Sequence, residues 1–251
     1  MNLLTSFRSE ILKTRRTATF YFTVIASALV PCISLLAAWL DGPDVDPGED
    51  PFTAILRLRF NFLCGVIFPM YIMLVCTLLA QMEYRNNTWK QVFTSPQSKL
   101  NIFIARFLNV HVLVILFLLL YNILLVISLL VIHFMLPALH LLNKPHWSEL
   151  ITWNVNTYVS ALALIAVQFW LGLRFRNFIV PLGIGLTLWL IGVMMVAGYH
   201  VPNAYIFPYT YTAYTAFPKN NELLPAVQWG SVVYMVVFLV LGFVDFRRGR
   251  R

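Results

Sequence analysis

Charge is scarce in this chain. Charged residues make up 11% of its 251 positions while apolar residues make up 60%, and the mean hydropathy is +0.76. A water-soluble fold could not cover so much apolar surface with so few charges, so the composition excludes the soluble classes and points to a membrane protein. Acid is scarcer than base, with 10 Asp and Glu against 18 Lys and Arg. A basic surplus can signal nucleic acid as a partner. Here, however, Lys and Arg stand in short clusters at the ends of apolar runs rather than along one polar face, which is a topology signal, and nucleic acid drops out. The three cysteines, Cys32, Cys64 and Cys76, lie inside apolar runs with no metal-ligand spacing and no even pairing, and read as buried core residues.

The motifs of catalysis are missing as well. There is no G-x-x-x-x-G-K-[ST] phosphate loop, no H-E-x-x-H, no paired carboxylate and no G-x-S-x-G. His111, His133, His140, His146 and His200 show no ligand spacing and read as structural, so no metal site and no cofactor are expected on this chain. Charged residues are absent from the centres of the apolar runs, where a lone charge costs at least about 2.5 kcal/mol. The chain therefore reads as a non-enzyme, and any ATP-driven work would burn its fuel on another chain. The first apolar run is too long for a signal peptide and lacks a small-residue cleavage site, so it reads as a retained anchor.

Six apolar stretches are long enough to cross a membrane: residues 17–40, 60–82, 107–136, 150–173, 177–200 and 223–244. The expected fold is an all-α integral membrane domain, 1–251, with six transmembrane helices. Six spans put both termini on one side. That side would hold fourteen of the basic residues, from Arg8 to Arg16, Arg85 to Arg106, Arg174 and Arg176, and Arg247 to Arg251; the other would hold only Arg57, Arg59, Lys144 and Lys219. Positive residues stay inside, so both termini are expected in the cytoplasm. Residues 3–12 place Leu3, Leu4, Phe7, Ile11 and Leu12 on one helical stripe, which suits an amphipathic helix lying in the inner interface. Residues 201–222, extracytoplasmic and interrupted by Pro202, Pro208 and Pro218, suit a partly buried or re-entrant segment rather than one continuous helix.

Polar residues inside the spans are few. Asn122 and Ser128, Asn156 and Gln168, and Thr187 suit hydrogen bonds between helices, with Asn122, Asn156 and Gln168 as candidates for a translocation path. The longest inside loop, residues 83–106, reads "EYRNNTWKQVFTSPQSKLNIFIAR". Arg85, Trp89, Val92 and Phe93 fall at i, i+4, i+7 and i+8, an apolar ridge edged by a cation on a short helix. Ser95 and Pro96 then suit a cap and a first helical position for a helix that carries Leu100, Phe103, Ile104 and Phe107 into the third span. The ridge can anchor on lipid headgroups or fit a groove on a partner.

This loop and the six-span arrangement resemble the permease subunits of ABC-2 type transporters, closest to the lantibiotic immunity and bacteriocin-export branch. The matching positions are Glu83, Asn87, Thr88, Trp89, Lys90, Val92, Phe93, Pro96 and Lys99. The resemblance implies a coupling helix formed by Arg85, Thr88, Trp89, Lys90, Val92 and Phe93, inserted into a cytoplasmic ABC ATPase subunit. It also implies two ATPase copies that hold ATP and Mg, a second permease copy or paralogue, and a multi-pass place in the bacterial inner membrane. On it, residues 201–222 would form short helices over the exit. The expected function is export of an amphipathic substrate, a peptide such as a lantibiotic, a lipid or a drug. The alternatives are a membrane scaffold that recruits a cytoplasmic factor and a stand-alone facilitator or channel.

Overall fold

The computed structural model describes residues 3–40, 42, 50–85, 98–141, 146–216 and 222–248. Every regular element among them is helical. Helix α1 (Leu3–Thr14) precedes α2 (Ala18–Leu40), and α3 (Pro51–Phe62) runs through a π turn at Leu63–Ile67 into α4 (Phe68–Arg85). Then follow α5 (Lys99–Met135), α6 (Trp147–Arg174) and α7 (Ile179–Val193), the last extended by a second π turn at Met194–Gly198. A short helix, α8 (Tyr211–Ala216), comes before the closing α9 (Leu224–Arg248).

Six rods are long and apolar enough to cross a membrane: Ala18–Leu40, Pro51–Met82, Lys99–Met135, Trp147–Arg174, Ile179–Gly198 and Leu224–Arg248. They overlay the six apolar runs, with two differences that have local causes. The second rod begins at Pro51 because the Asp50 side chain caps it, accepting from the Thr53 amide at 2.9 Å, and Pro51 needs no amide partner in the first turn. Arg57 and Arg59 therefore ride on the helix rather than precede it. Arg59 is buried, and its Nη1 donates to Ser128 Oγ at 2.8 Å. The third rod is capped by Ser98, whose hydroxyl accepts from the Asn101 amide at 3.2 Å, so the helix starts beyond the Ser95–Pro96 pair, which lies outside the described residues.

Helix α6 sits centrally, packed on α4 and α9, while α5 carries α1 and α2. Lipid tails are as apolar as leucine, so apolar contact alone does not bring such helices together; polar bonds and close approaches must. The Thr23 and Tyr71 hydroxyls meet at 3.1 Å, and Tyr71 also donates to the Leu113 carbonyl at 2.9 Å, joining the first three rods. Ser231 joins α9 to α6 twice, accepting from the Ala163 amide at 2.9 Å and donating to the Ser160 carbonyl at 3.0 Å. Arg106, on α5, lies with its guanidinium 5.5 Å from the Phe246 ring of α9. Cys64 and Cys76 are buried, but Cys32 is exposed on the surface of the bundle, contrary to expectation, because α2 turns that side away from its neighbours.

One end of the bundle gathers the basic helix ends. Gln81 Nε2 donates to the Arg176 carbonyl at 2.7 Å, Tyr84 donates to the Leu173 carbonyl at 2.6 Å, and Arg174 pairs with Asp245 at 2.5 Å. Helix α1 belongs to the same end, held by Asn109 Nδ2 donating to Thr14 Oγ1 at 2.6 Å.

At the other end, residues 204–216 turn back into the bundle. Ala204, Tyr209, Thr210, Tyr211, Ala213 and Ala216 are all buried, and α8 packs on α6 and on both π turns. The approach is close enough that a Cβ on Gly192 would stand 2.9 Å from the Tyr209 carbonyl oxygen. Burial pushes the Tyr211 hydroxyl up to about 12, with neighbouring Tyr234 adding to the shift. Burial raises Tyr209 and Tyr214 too.

Candidate functional site

Two regions carry functional interest, one at each end. At the basic end the loop between α4 and α5 leaves the bundle. Arg85 closes α4; Thr88, Trp89, Lys90, Val92 and Phe93 lie outside the described residues. What is described is the frame on either side. The last turns of α4 are fastened by Gln81 and Tyr84 to the end of α6, and Lys99 Nζ reaches the Arg247 carbonyl of α9 at 3.5 Å. Beside this frame a cavity of about 510 Å³ opens between α6 and α9, lined by Trp170, Leu173, Arg174, Phe175, Gly242, Asp245 and Arg248. Asp245 is its organising group, accepting from Trp170 Nε1 at 3.0 Å as well as from Arg174.

The opposite end holds a cavity of about 370 Å³ between α3, α6, α8 and the start of α9. Arg57, Phe60 and Asn61 line it from α3, Thr152, Trp153, Asn156 and Thr157 from α6, Thr215 from α8 and Leu224 from α9. Its walls are braced. Asn156 Oδ1 accepts from Gln228 Nε2 at 2.9 Å, tying α6 to α9. The Cys64 thiol and the Thr157 hydroxyl meet at 3.2 Å, tying the first π turn to α6. The Asn61 amide donates to the Ala216 carbonyl, tying α3 to the re-entrant helix.

The three candidate path residues fall in different places. Asn156 lines this cavity. Asn122 does not: it forms a reciprocal amide pair with Asn154, each side chain donating to the other at 2.8 and 2.9 Å, which locks α5 to α6. Gln168 is fully buried. Its Nε2 donates to the Pro181 carbonyl at 2.9 Å and to Thr77 Oγ1 at 3.4 Å, and its Oε1 accepts from Tyr209 at 3.3 Å. One amide thus joins α4, α6, α7 and the re-entrant segment. Gly185 makes room for it, since a Cβ there would lie 2.6 Å from Gln168 Oε1.

Sequence reasoning passed over Arg57, Asn61 and Thr152 as cavity residues, although the i, i+4 spacings of Arg57 with Asn61 and of Thr152 with Asn156 put each pair on one helix face. The Asp50–Pro51 start signal was the clue that Arg57 belongs to a helix.

An all-helical bundle with six rods long enough to cross a membrane, alternating in direction with the basic ends together, defines a multi-pass membrane protein. Residues 6–193 match the family model described as ABC-2 family transporter protein, and the chain belongs to that family, the membrane subunits of ATP-binding-cassette transporters. No curated protein matches the chain.

Proposed function

We propose that this chain is the permease of an ATP-driven exporter in a bacterial inner membrane, with both termini in the cytoplasm. It carries no catalytic centre; ATP and Mg are bound by a separate cytoplasmic ATPase, present in two copies, with a second permease copy or paralogue completing the complex. The loop of residues 83–106 is the docking element, with Trp89 and Phe93 as anchors on the ATPase and Arg85, Thr88, Lys90 and Val92 around them. The observation that carries this reading is the family match, which includes that loop. The fastened frame on both sides of the loop supports it: a push on the loop reaches α4, α5, α6 and α9 together.

Helix α1 lies in the inner interface. Leu4 and Leu12, 75% and 57% exposed, face away from the bundle, while Ser6 and Thr14 face it. The substrate is amphipathic and leaves past Asn156, while Asn122 and Gln168 hold the walls of the path. Fourteen basic residues on one side against four on the other support the orientation.

The complex is tested by purification from the native membrane. An ATPase with a phosphate loop should accompany the chain, and Trp89→Ala with Phe93→Ala should lower its recovery roughly tenfold, the loss expected from removing two aromatic anchors. Full assembly and transport in the double variant would remove the docking role. A partner without a phosphate loop would favour the scaffold, and conduction in liposomes without ATP would favour the facilitator. For orientation, in a Cys32→Ala background, Gly48→Cys should react with an impermeant thiol reagent from outside and Asn87→Cys only after the membrane is opened.

A further inference from the structure

The cavity between α6 and α9 at the basic end holds charges of both signs, and they do not balance. Arg174 and Arg248 line it with one acid, Asp245. Arg174 spends a single donor on that acid, Nη1 to Oδ2, and the same oxygen accepts from Trp170 Nε1. The Trp170 ring lies 5.7 Å from the Arg174 guanidinium, so the group is held on two sides. A guanidinium carries five N–H donors in a planar fork, and those on Nε and Nη2 of Arg174 stay uncommitted on a side chain that is half exposed. Arg248 is exposed and makes no hydrogen bond or ion pair with the described residues; it stands within electrostatic reach of Asp245. Two cations against one acid leave the cavity with an excess positive charge and with free donors on two guanidiniums around one space. Such a fork pair receives the oxygens of a phosphate.

The surroundings say what carries the phosphate. Val237, Leu241, Val244 and Arg248 follow one another at i, i+4, i+7 and i+11, one stripe of α9, and the three apolar members are 46%, 49% and 39% exposed. The stripe runs from the cationic mouth of the cavity down a bare apolar surface toward the middle of the membrane. A free phosphate has no use for that surface; acyl chains cover it. Trp170 in the wall and the basic helix ends around it set the cavity at headgroup level. At about 510 Å³ it has room for a headgroup. Basic pockets between membrane helices on the cytoplasmic side attract anionic lipid in this way.

We propose that this cavity binds the headgroup of an anionic phospholipid of the inner leaflet, its phosphate shared between Arg248 and the free edge of Arg174, and its acyl chains lying along Val244, Leu241 and Val237. The leaflet rests on the transporter orientation proposed above; the binding chemistry does not. Asp245 holds Arg174 in position, and Arg248 supplies the charge that the acid does not cancel. The occupant joins the last turns of α6 and α9, so it stabilises their contact in proportion to its occupancy.

The test uses the full chain, purified alone in a mild uncharged detergent and titrated with dihexanoyl phosphatidylglycerol below its micelle concentration. Saturable binding and a rise in Tm are expected. Arg248→Gln should weaken binding roughly tenfold and leave the ligand-free Tm unchanged, with Arg248→Lys intermediate, as loss of one charge-assisted contact requires. Arg247→Gln removes the same charge one residue away, outside the cavity, and should leave the affinity nearly unchanged at moderate salt. A loss in Arg247→Gln equal to that in Arg248→Gln would reduce the effect to the general field of the basic end and overturn the site. Equal affinity for dihexanoylglycerol, which lacks the phosphate, would overturn headgroup recognition. Inorganic phosphate binding as tightly as the lipid would make the site one for a free anion and overturn the lipid as occupant. Both ligand comparisons use the unaltered chain, so they decide the matter even if a variant fails to fold. None of these measurements requires the ATPase or transport, so failure of the complex to assemble and failure of the lipid site are separate results.

Discussion

The two ends of the bundle are fastened by different chemistry. At the rim of the basic end the ties are peripheral, a partly exposed ion pair between Arg174 and Asp245 and side chains that reach carbonyls at or just past the ends of neighbouring helices, with the buried Asn109–Thr14 bond beneath them. Along the shaft and toward the other end they are neutral: the fully buried Gln168 tied to the re-entrant segment, and the half-buried Asn122–Asn154 amide pair and Asn156–Gln228 bond. Exposed charge pairs contribute little and weaken with salt. Buried amides in hydrocarbon keep their bonds, because the alternative is an unsatisfied polar group. The rim of the basic end is therefore held more weakly than the shaft of the bundle behind it.

Substitutions can break that contrast. The largest effect is expected for Gln168→Leu, which strands partners on Thr77, Pro181 and Tyr209 at once; the detergent-solubilised protein should lose about 1–3 kcal/mol of stability, read as a clear fall in Tm. An unchanged Tm would show that the re-entrant segment is held by packing alone.

Asn122→Leu should cost about 1 kcal/mol because it leaves Asn154 with an unpaired amide, and the added Asn154→Leu should restore part of the loss. A double variant as unstable as the sum of the singles would mean that the two amides are not coupled. Asp245→Asn should be the mildest, below about 1 kcal/mol, and indistinguishable from wild type in high salt. A larger, salt-independent loss would place the two ends in the same class.

Much of this architecture was legible in the residues. Apolar length alone marks the six rods, because nothing else in the chemistry of a bilayer tolerates runs of that size. Proline spacing marked residues 201–222 as something other than one continuous helix. What the sequence did not disclose is pairing. Nothing in one chain's text says that Asn122 meets Asn154, or that Gln168 gathers four elements, since each is one of several amides in an apolar run and the partner is chosen by packing. Arg59 shows the same gap: beside Arg57 it looks like an outside-loop charge, and only its approach to Ser128 shows a buried cation. The loop that carries Trp89 and Phe93 was the strongest family signal in the sequence, and it lies outside the described residues.

Helix α5 has a consequence of its own. Its 37 residues contain neither glycine nor proline and no π turn interrupts them, unlike the second and fifth rods. At 1.5 Å per residue it is about 55 Å long, against roughly 30 Å of hydrocarbon. A rod of that kind has no joint in which to absorb a displacement. A shift of its first turn at Lys99 would be carried along the helix toward Met135 with no break to take it up, and α1 is fastened to the same helix at Asn109.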